Sequence, residues 1–499
     1  MTRDLMPLLV VGPLLAAGIS MGLWRHLRLQ QVVAVGVLIA CLAYAGRLVV
    51  EVATGGTVAV HLGGWQAPIG VTLVADLFSS LLLVVSLATV LAVLVYAIGQ
   101  PRADKRAFYF HPLYLVLSAG VSASFLTGDL FNLFVAFEIM LSASYVLITL
   151  GGRPDQVRAG MTYVVINLLA STLLVTAIAL IYAATGSLNL ADVAVRLTDV
   201  DPGIRTALGI LLLVTFGIKA AIFPLFFWLP DSYPTAPVTI TAVFAGLLTK
   251  VGVYAIIRTQ TLLFPTDDGT STVLLVLAAL TMITGVLGAI AQDDMKRILS
   301  FHIVSQIGYM IFGLGLYSVA GLAGAIVFII HQIPVKTALF LVNGIVETTT
   351  GTASLNRLGG LLRRSPLVAV LFLLVGLSLA GVPPFSGFVG KLALVQAGIA
   401  GEAWTVTAIS VLVSILTLYS MTKIWSGVFW GEPDQPPPLA EAHGEGRLRA
   451  PALMTAATVG LVAVTIVIAV GAQPLWELSE RAAMELLEPS GYTEAVLEP

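Results

Sequence analysis

Seven ionisable side chains interrupt otherwise apolar runs of this sequence: Glu138, Lys219, Lys250, His302, His331, Lys336 and Lys391. A charge at mid-bilayer depth costs roughly 2.5–3.5 kcal/mol even on the lenient translocon scale, so each must face a bundle interior or a water-filled path and find a partner there. The chemistry open to such a set is the binding and release of protons. Glu138 lies mid-run in GDLFNLFVAFEIMLSASYVLI, with Ser142 and Tyr145 at i+4 and i+7 on one expected polar stripe. Lys219 is its natural partner, because opposite charges hold each other ionised and an arriving proton switches the pairing. A structural ion pair that only fixes helix packing is the competing explanation. Lysine, unlike arginine, exchanges its proton when buried, which suits Lys250 to carry protons.

The second half of the chain offers a different set. His302, Ser305, Gln306 and Tyr309 fall at i, i+3, i+4 and i+7 in FHIVSQIGYMIF. That face suits either a hydrated relay or a hydrogen-bonded seam between helices. His331 and Lys336 stand in HQIPVK, five residues apart, and would point away from each other on an ideal helix. Pro334 between them is expected to unwind the backbone and let both line one cavity. Lys391 follows Pro383 and Pro384, whereas Lys423 sits near the end of its run and can snorkel to the surface. Asp76 begins a run and reads as a first-turn residue. The seven residues are spread over successive runs, as a proton wire requires and a substrate pocket does not.

The elements that must position them are membrane helices. Hydrophobic residues make up 58% of the chain and charged residues 10%, against about 25% charged in a soluble protein. Apolar runs of membrane-spanning length give an all-α polytopic protein of about fourteen transmembrane helices. The stretch Thr206–Arg258 holds two of them, with Lys219 and Lys250 inside and Pro224 five residues after Lys219. Proline removes a backbone donor, so a helix break is expected beside the first lysine. The run Pro366–Ile399 is too long for one straight helix and contains GVPPFSG, so it is read as a second broken helix. The one cysteine, Cys41, excludes disulfides within the chain and cysteine metal sites. The histidines lack zinc-like spacing, and no phosphate-binding loop or dinucleotide fingerprint is present. No metal, cofactor or nucleic acid is expected, and ATP-driven transport or redox chemistry within the chain is excluded.

The first run lacks a small-x-small cleavage site, and its positive cluster, including Arg25 and Arg28, follows it. It is therefore an uncleaved span with its amino end outside. Alternating the loops then places Arg102, Lys105, Arg106, Lys296, Arg297, Arg363, Arg364, Arg447 and Arg449 inside, with few basic residues outside, as the positive-inside rule demands. Both termini are expected outside. Three helices in residues 1–110 precede a five-helix unit, 111–265, broken near Lys219 and Pro224. A second five-helix unit, 270–431, is broken near Pro383, Pro384 and Lys391. Residues 432–499 supply a cytoplasmic loop, a last helix and an outward tail. Five spans per unit reverse successive units, which makes an inverted repeat.

The stretches GIKAAIFPLFFWLPDSYPTAPVTITAVFAGLLTKVGVY, LSFHIVSQIGYM, HQIPVKTALFL, LNRLGGL and AGVPPFSGFVGKLALVQAG, with the Glu138 stretch, resemble the antiporter-like proton-channel subunits. That family is shared by respiratory complex I and the Mrp multisubunit cation/proton antiporters. The resemblance spans about Leu77 to Phe429 and leans toward the D branch of the Mrp antiporters, since Lys391 stands where related complex I subunits often carry glutamate. It implies that Glu138 and Lys219 form the first charged pair, that Lys250 passes protons along the centre, and that Lys391 closes the second half-channel. It also implies Mrp partners of the A, B, C, E, F and G types in a bacterial plasma membrane, with sodium handled by the complex and protons by this chain. Two alternatives are a proton-pumping subunit of complex I or a membrane-bound hydrogenase, and a membrane scaffold whose charges only fix packing.

Overall fold

The computed structural model describes residues 3–100, 107–265, 268–432 and 450–498. The inside-loop residues Arg102, Lys105, Arg106, Arg447 and Arg449 lie outside them. Among the described residues the chain is helical apart from one short hairpin, in which Val58–His61 (β1) pairs antiparallel with Thr72–Ala75 (β2). The helices are Leu8–Gly22 (α1), Leu27–Gly55 (α2), Leu77–Gly99 (α3), Ala107–Leu126 (α4), Leu130–Thr149 (α5) and Pro154–Thr185 (α6). Pro202–Ala220 (α7), Val238–Leu262 (α8), Asp268–Ile290 (α9), Met295–Gly315 (α10) and Val319–Thr350 (α11) follow. Pro366–Ala380 (α12), Ser386–Ala400 (α13), Trp404–Trp430 (α14) and Ala452–Val470 (α15) complete the membrane set. Two tail helices, Ala472–Leu487 (α16) and Ser490–Leu497 (α17), end the chain.

Twelve of these helices are long and apolar enough to cross a membrane. The shorter α1 and the split pair α12 and α13 bring the transmembrane units to the fourteen expected from the sequence. Large apolar side chains such as Val32, Ile39, Ile415 and Val467 lie exposed on the outer helices, the surface that lipid covers. The polar side chains collect inside, on α8, α10 and α11. The most hydropathic windows of α8 and α11 are 100% buried, so these two helices form the axis of the bundle.

Both expected breaks are present. α7 stops at Ala220, Ala221 turns into the left-handed region at φ 61°, and Pro224 lies in the irregular stretch before Trp228. α12 stops at Ala380, with Gly381 at φ 87°, and α13 restarts at Ser386 after Pro383 and Pro384. Glycine takes that turn without a Cβ penalty; Ala221 takes it at a cost.

Pro334 departs from expectation. α11 runs unbroken from Val319 to Thr350 with Pro334 inside it. The missing N–H leaves the Ile330 carbonyl without its intrahelical donor, but packing on every side holds the helix. His331 and Lys336 therefore diverge by about 140° and do not share one unwound cavity.

Asp76 caps α3, accepting from the Ser79 N–H at 2.8 Å. Its other oxygen meets Arg258 Nη2 at 2.5 Å, with both side chains buried. Arg258 is thus part of the packed interior of α8. The Tyr492 ring on α17 lies 5.1 Å from its guanidinium, so the tail covers the pair.

Candidate functional site

In the first half of the chain, Glu138 on α5 and Lys219 in the last turn of α7 are joined through a third residue. Ser171, on α6, donates its hydroxyl to Glu138 Oε1, and Lys219 Nζ donates to Ser171 Oγ at 3.2 Å. Among the described residues no direct ion pair links carboxylate and ammonium; the serine hydroxyl is the bridge. A hydroxyl both donates and accepts, so it can pass a proton between the two. Lys219 Nζ also lies 4.8 Å from the Phe137 ring centroid, and Phe137 packs on Phe216 of α7. Lys219 is 4% exposed, whereas Glu138 is half-buried and opens toward the outer surface of the bundle. The expected stripe on α5 is only partly realised. Tyr145 lies within electrostatic reach of Glu138, but Ser142 is exposed on the lipid-facing side.

The break next to Lys219 explains its position. The last carbonyls of a helix lack their regular donors, and here the Ile218 carbonyl accepts from the Ala221 N–H at 3.2 Å and from the Trp228 indole N–H at 3.0 Å. The lysine is left free to turn toward α6. α8 approaches this corner through Gly252, where a Cβ would stand 2.7 Å from the Ala220 nitrogen and 3.0 Å from the Lys219 carbonyl carbon. Two residues before Gly252, Lys250 is 1% exposed and donates to the Ala245 carbonyl at 2.5 Å. Residues Phe244–Leu248 form a π-helical turn inside α8. Such turns disturb the regular ladder of carbonyls and mark functional sites.

The second half is built around the split between α12 and α13. Lys391 reaches back to donate to the Ala380 carbonyl at 3.0 Å, the last residue of α12. Its ammonium also lies 4.9 Å from the Tyr309 ring centroid. His331 Nδ1 bonds Ser386 Oγ at 2.8 Å, and Ser386 bonds Ser378 at 3.1 Å, so one imidazole braces both sides of the break. On α10, His302 bonds Ser420 at 2.9 Å, and Tyr309 bonds the Ser410 carbonyl at 2.5 Å and Ser414 at 2.7 Å. Gln306 turns instead to Gln332 of α11, at 3.3 Å. Ser305 donates to the Met282 carbonyl of α9 at 3.1 Å, so the face read from the sequence divides among α14, α11 and α9.

Lys336 is fully buried with no hydrogen-bond partner at Nζ. It lies within electrostatic reach of both Lys250 and Lys391, and His302 and His331 are each within reach of Lys336 and Lys391. Six of the seven residues read from the sequence are therefore interior groups, and Glu138 is at the rim. Lys423 behaves as a surface residue, pairing with Asp293 at 2.8 Å. Sequence reasoning missed the linking serines, Ser171, Ser386, Ser414 and Ser420, and the buried pair of Asp76 and Arg258.

Residues 127–417 match a family described as NADH:quinone oxidoreductase/Mrp antiporter, transmembrane. The chain is 45% identical over 475 residues, 95% of each chain, to a protein named as the D-type component of a Na(+)/H(+) antiporter from Alkalihalophilus pseudofirmus. It is 39% identical to the protein of the same name from Bacillus subtilis, over 99% of each chain. Among solved structures it superposes on a chain of the Mrp complex from Dietzia sp. DQ12-45-1b with a TM-score of 0.91 and 37% identity, covering 99% of both. A chain of an archaeal membrane-bound sulfane sulfur reductase gives a TM-score of 0.89 at 26% identity, again over 99% of both.

Proposed function

The chain belongs to the NADH:quinone oxidoreductase/Mrp antiporter transmembrane family, and from that premise we propose that it is the D-type, proton-translocating subunit of a multisubunit Na+/H+ antiporter. It is a secondary transporter subunit, not an enzyme, and works in a bacterial plasma membrane beside Mrp partners of the A, B, C, E, F and G types. The observation that carries the reading is the bridged set Glu138, Ser171 and Lys219, a carboxylate at the rim coupled through one hydroxyl to an ammonium in the interior. From there the path continues to Lys250 across the Gly252 contact, then to Lys336 and on to Lys391 with His331 and His302 beside it. Each step moves a proton between neighbouring groups; no soluble domain is needed.

The basic residues on alternate loops orient both termini outward. The units 111–265 and 270–431, each with a broken helix ending beside a lysine, are read as inverted repeats. Inward proton flow through this chain is coupled to sodium export by the complex. The higher identity to the Mrp chain than to the sulfur reductase chain favours this reading over a redox-driven pump. The test expresses the complete operon in a host lacking its own sodium/proton antiporters. Everted vesicles are energised and the pH gradient is followed. Dissipation on adding sodium chloride is expected; a gradient indifferent to sodium would move the redox-driven pump into first place.

A further inference from the structure

α11 carries a second polar file that the relay above does not use. Counting from Lys336, Asn343 and Glu347 fall at i+7 and i+11, which is within about 20° of the same helical face. All three lie on the half of α11 that runs toward the basic end of the bundle. There Glu347 Oε2 meets Lys296 Nζ at 2.7 Å, the glutamate side chain 34% exposed and the lysine 7%. Lys296 opens α10 beside Asp293 and Asp294, at the same end as Lys423. Positive-inside reasoning makes that end cytoplasmic.

Asn343 is 0% exposed, and neither its amide nitrogen nor its amide oxygen has a hydrogen-bond partner in the protein. A buried amide with both ends unpaired is costly, and buried polar groups are normally satisfied by protein or water. The adjacent residue is Gly344, whose missing side chain leaves room for the Tyr96 hydroxyl and Val238; a Cβ there would strike both. Tyr96 itself donates to the Leu341 carbonyl at 3.0 Å. Between Asn343 and Lys336 the same face carries Phe340, fully buried, so a hydrogen-bonded file must pass the edge of that ring.

We propose that Asn343, with the Glu347 and Lys296 pair at its mouth, forms the access route by which protons leave Lys336 for the basic side of the membrane. This rests on the proton-relay reading of Lys336. A proton leaving the Lys336 ammonium travels along water held by the Asn343 amide and ends on the Glu347 carboxylate, leaving a neutral amine behind it. The amide carries no proton of its own; it is a positioning group that donates in one direction and accepts in the other.

The test uses the whole complex. In a Cys41→Ala background, Asn343→Cys and, as a control on the opposite face of α11, Ile345→Cys, at a residue 1% exposed, are exposed to a small membrane-impermeant thiol reagent. Asn343→Cys should react in everted vesicles, where the basic side is accessible, and be protected in right-side-out vesicles; Ile345→Cys should react in neither. Asn343→Leu should lower sodium-dependent proton movement about tenfold with normal complex assembly, and Asn343→Ser should restore most of it. Absence of labelling at Asn343→Cys, or wild-type transport by Asn343→Leu, overturns the route. Sodium-insensitive wild-type vesicles with side-specific labelling would instead remove the antiport reading while leaving the access route standing.

Discussion

The two helix breaks solve the same physical problem with different groups. At the end of α7 the Ile218 carbonyl accepts from the Ala221 N–H and the Trp228 indole, and Lys219 turns away to reach a carboxylate through Ser171. At the end of α12 the freed Ala380 carbonyl is taken by Lys391 itself, and among the described residues no carboxylate pairs with that lysine. A helix C-terminus carries partial negative charge, so the Ala380 carbonyl stands where a counterion would and gives the Lys391 nitrogen its hydrogen-bond acceptor. The first break therefore presents a carboxylate and an ammonium bridged by a serine; the second presents a lysine that must itself gain and lose the proton.

Substituting arginine separates the two roles most sharply. Lys391→Arg keeps a cation that cannot release its proton, so sodium-driven proton movement should fall about a hundredfold or more in vesicles where blotting shows a normally assembled complex. Lys219→Arg keeps a positive partner for the Glu138 and Ser171 bridge and should cost about tenfold or less. Equal losses in the two variants would remove the distinction between the breaks. Ser171→Ala, which takes away the bridge and leaves both charges, should slow transport by a factor of a few, roughly the net worth of one ordinary hydrogen bond. Ser171→Thr should recover it; an alanine variant at full rate would mean the serine is a bystander. The smallest effect on transport is expected from Gly252→Ala. The added methyl meets backbone of α7 and should destabilise the protein by about 1–3 kcal/mol, read as a lower melting temperature of the purified complex.

The breaks and most of the interior charges were legible because their causes are local. A proline lacks a donor wherever it stands, and a charge in an apolar run is costly before any tertiary contact is known. Pro334 shows the limit of that reasoning, since a helix as thoroughly packed as α11 tolerates the lost hydrogen bond. The linking serines were illegible for a different reason. A serine or threonine inside a helix commonly bonds its own i−4 carbonyl, as Thr89, Ser124 and Thr417 do here. Nothing in its local sequence distinguishes Ser171 from them. Asp76 and Arg258 are 182 residues apart, and each alone reads as a residue near a helix end. Only the fold makes them a buried pair.

The central claim is that Glu138 carries protons at the rim of the relay. Glu138→Gln keeps the size and polarity of the side chain and removes the carboxylate. It is introduced into the complete operon in the antiporter-deficient host, and energised everted vesicles are challenged with sodium chloride. An assembled complex that no longer dissipates the pH gradient is the predicted result. Sodium-driven dissipation at the wild-type rate would contradict the account.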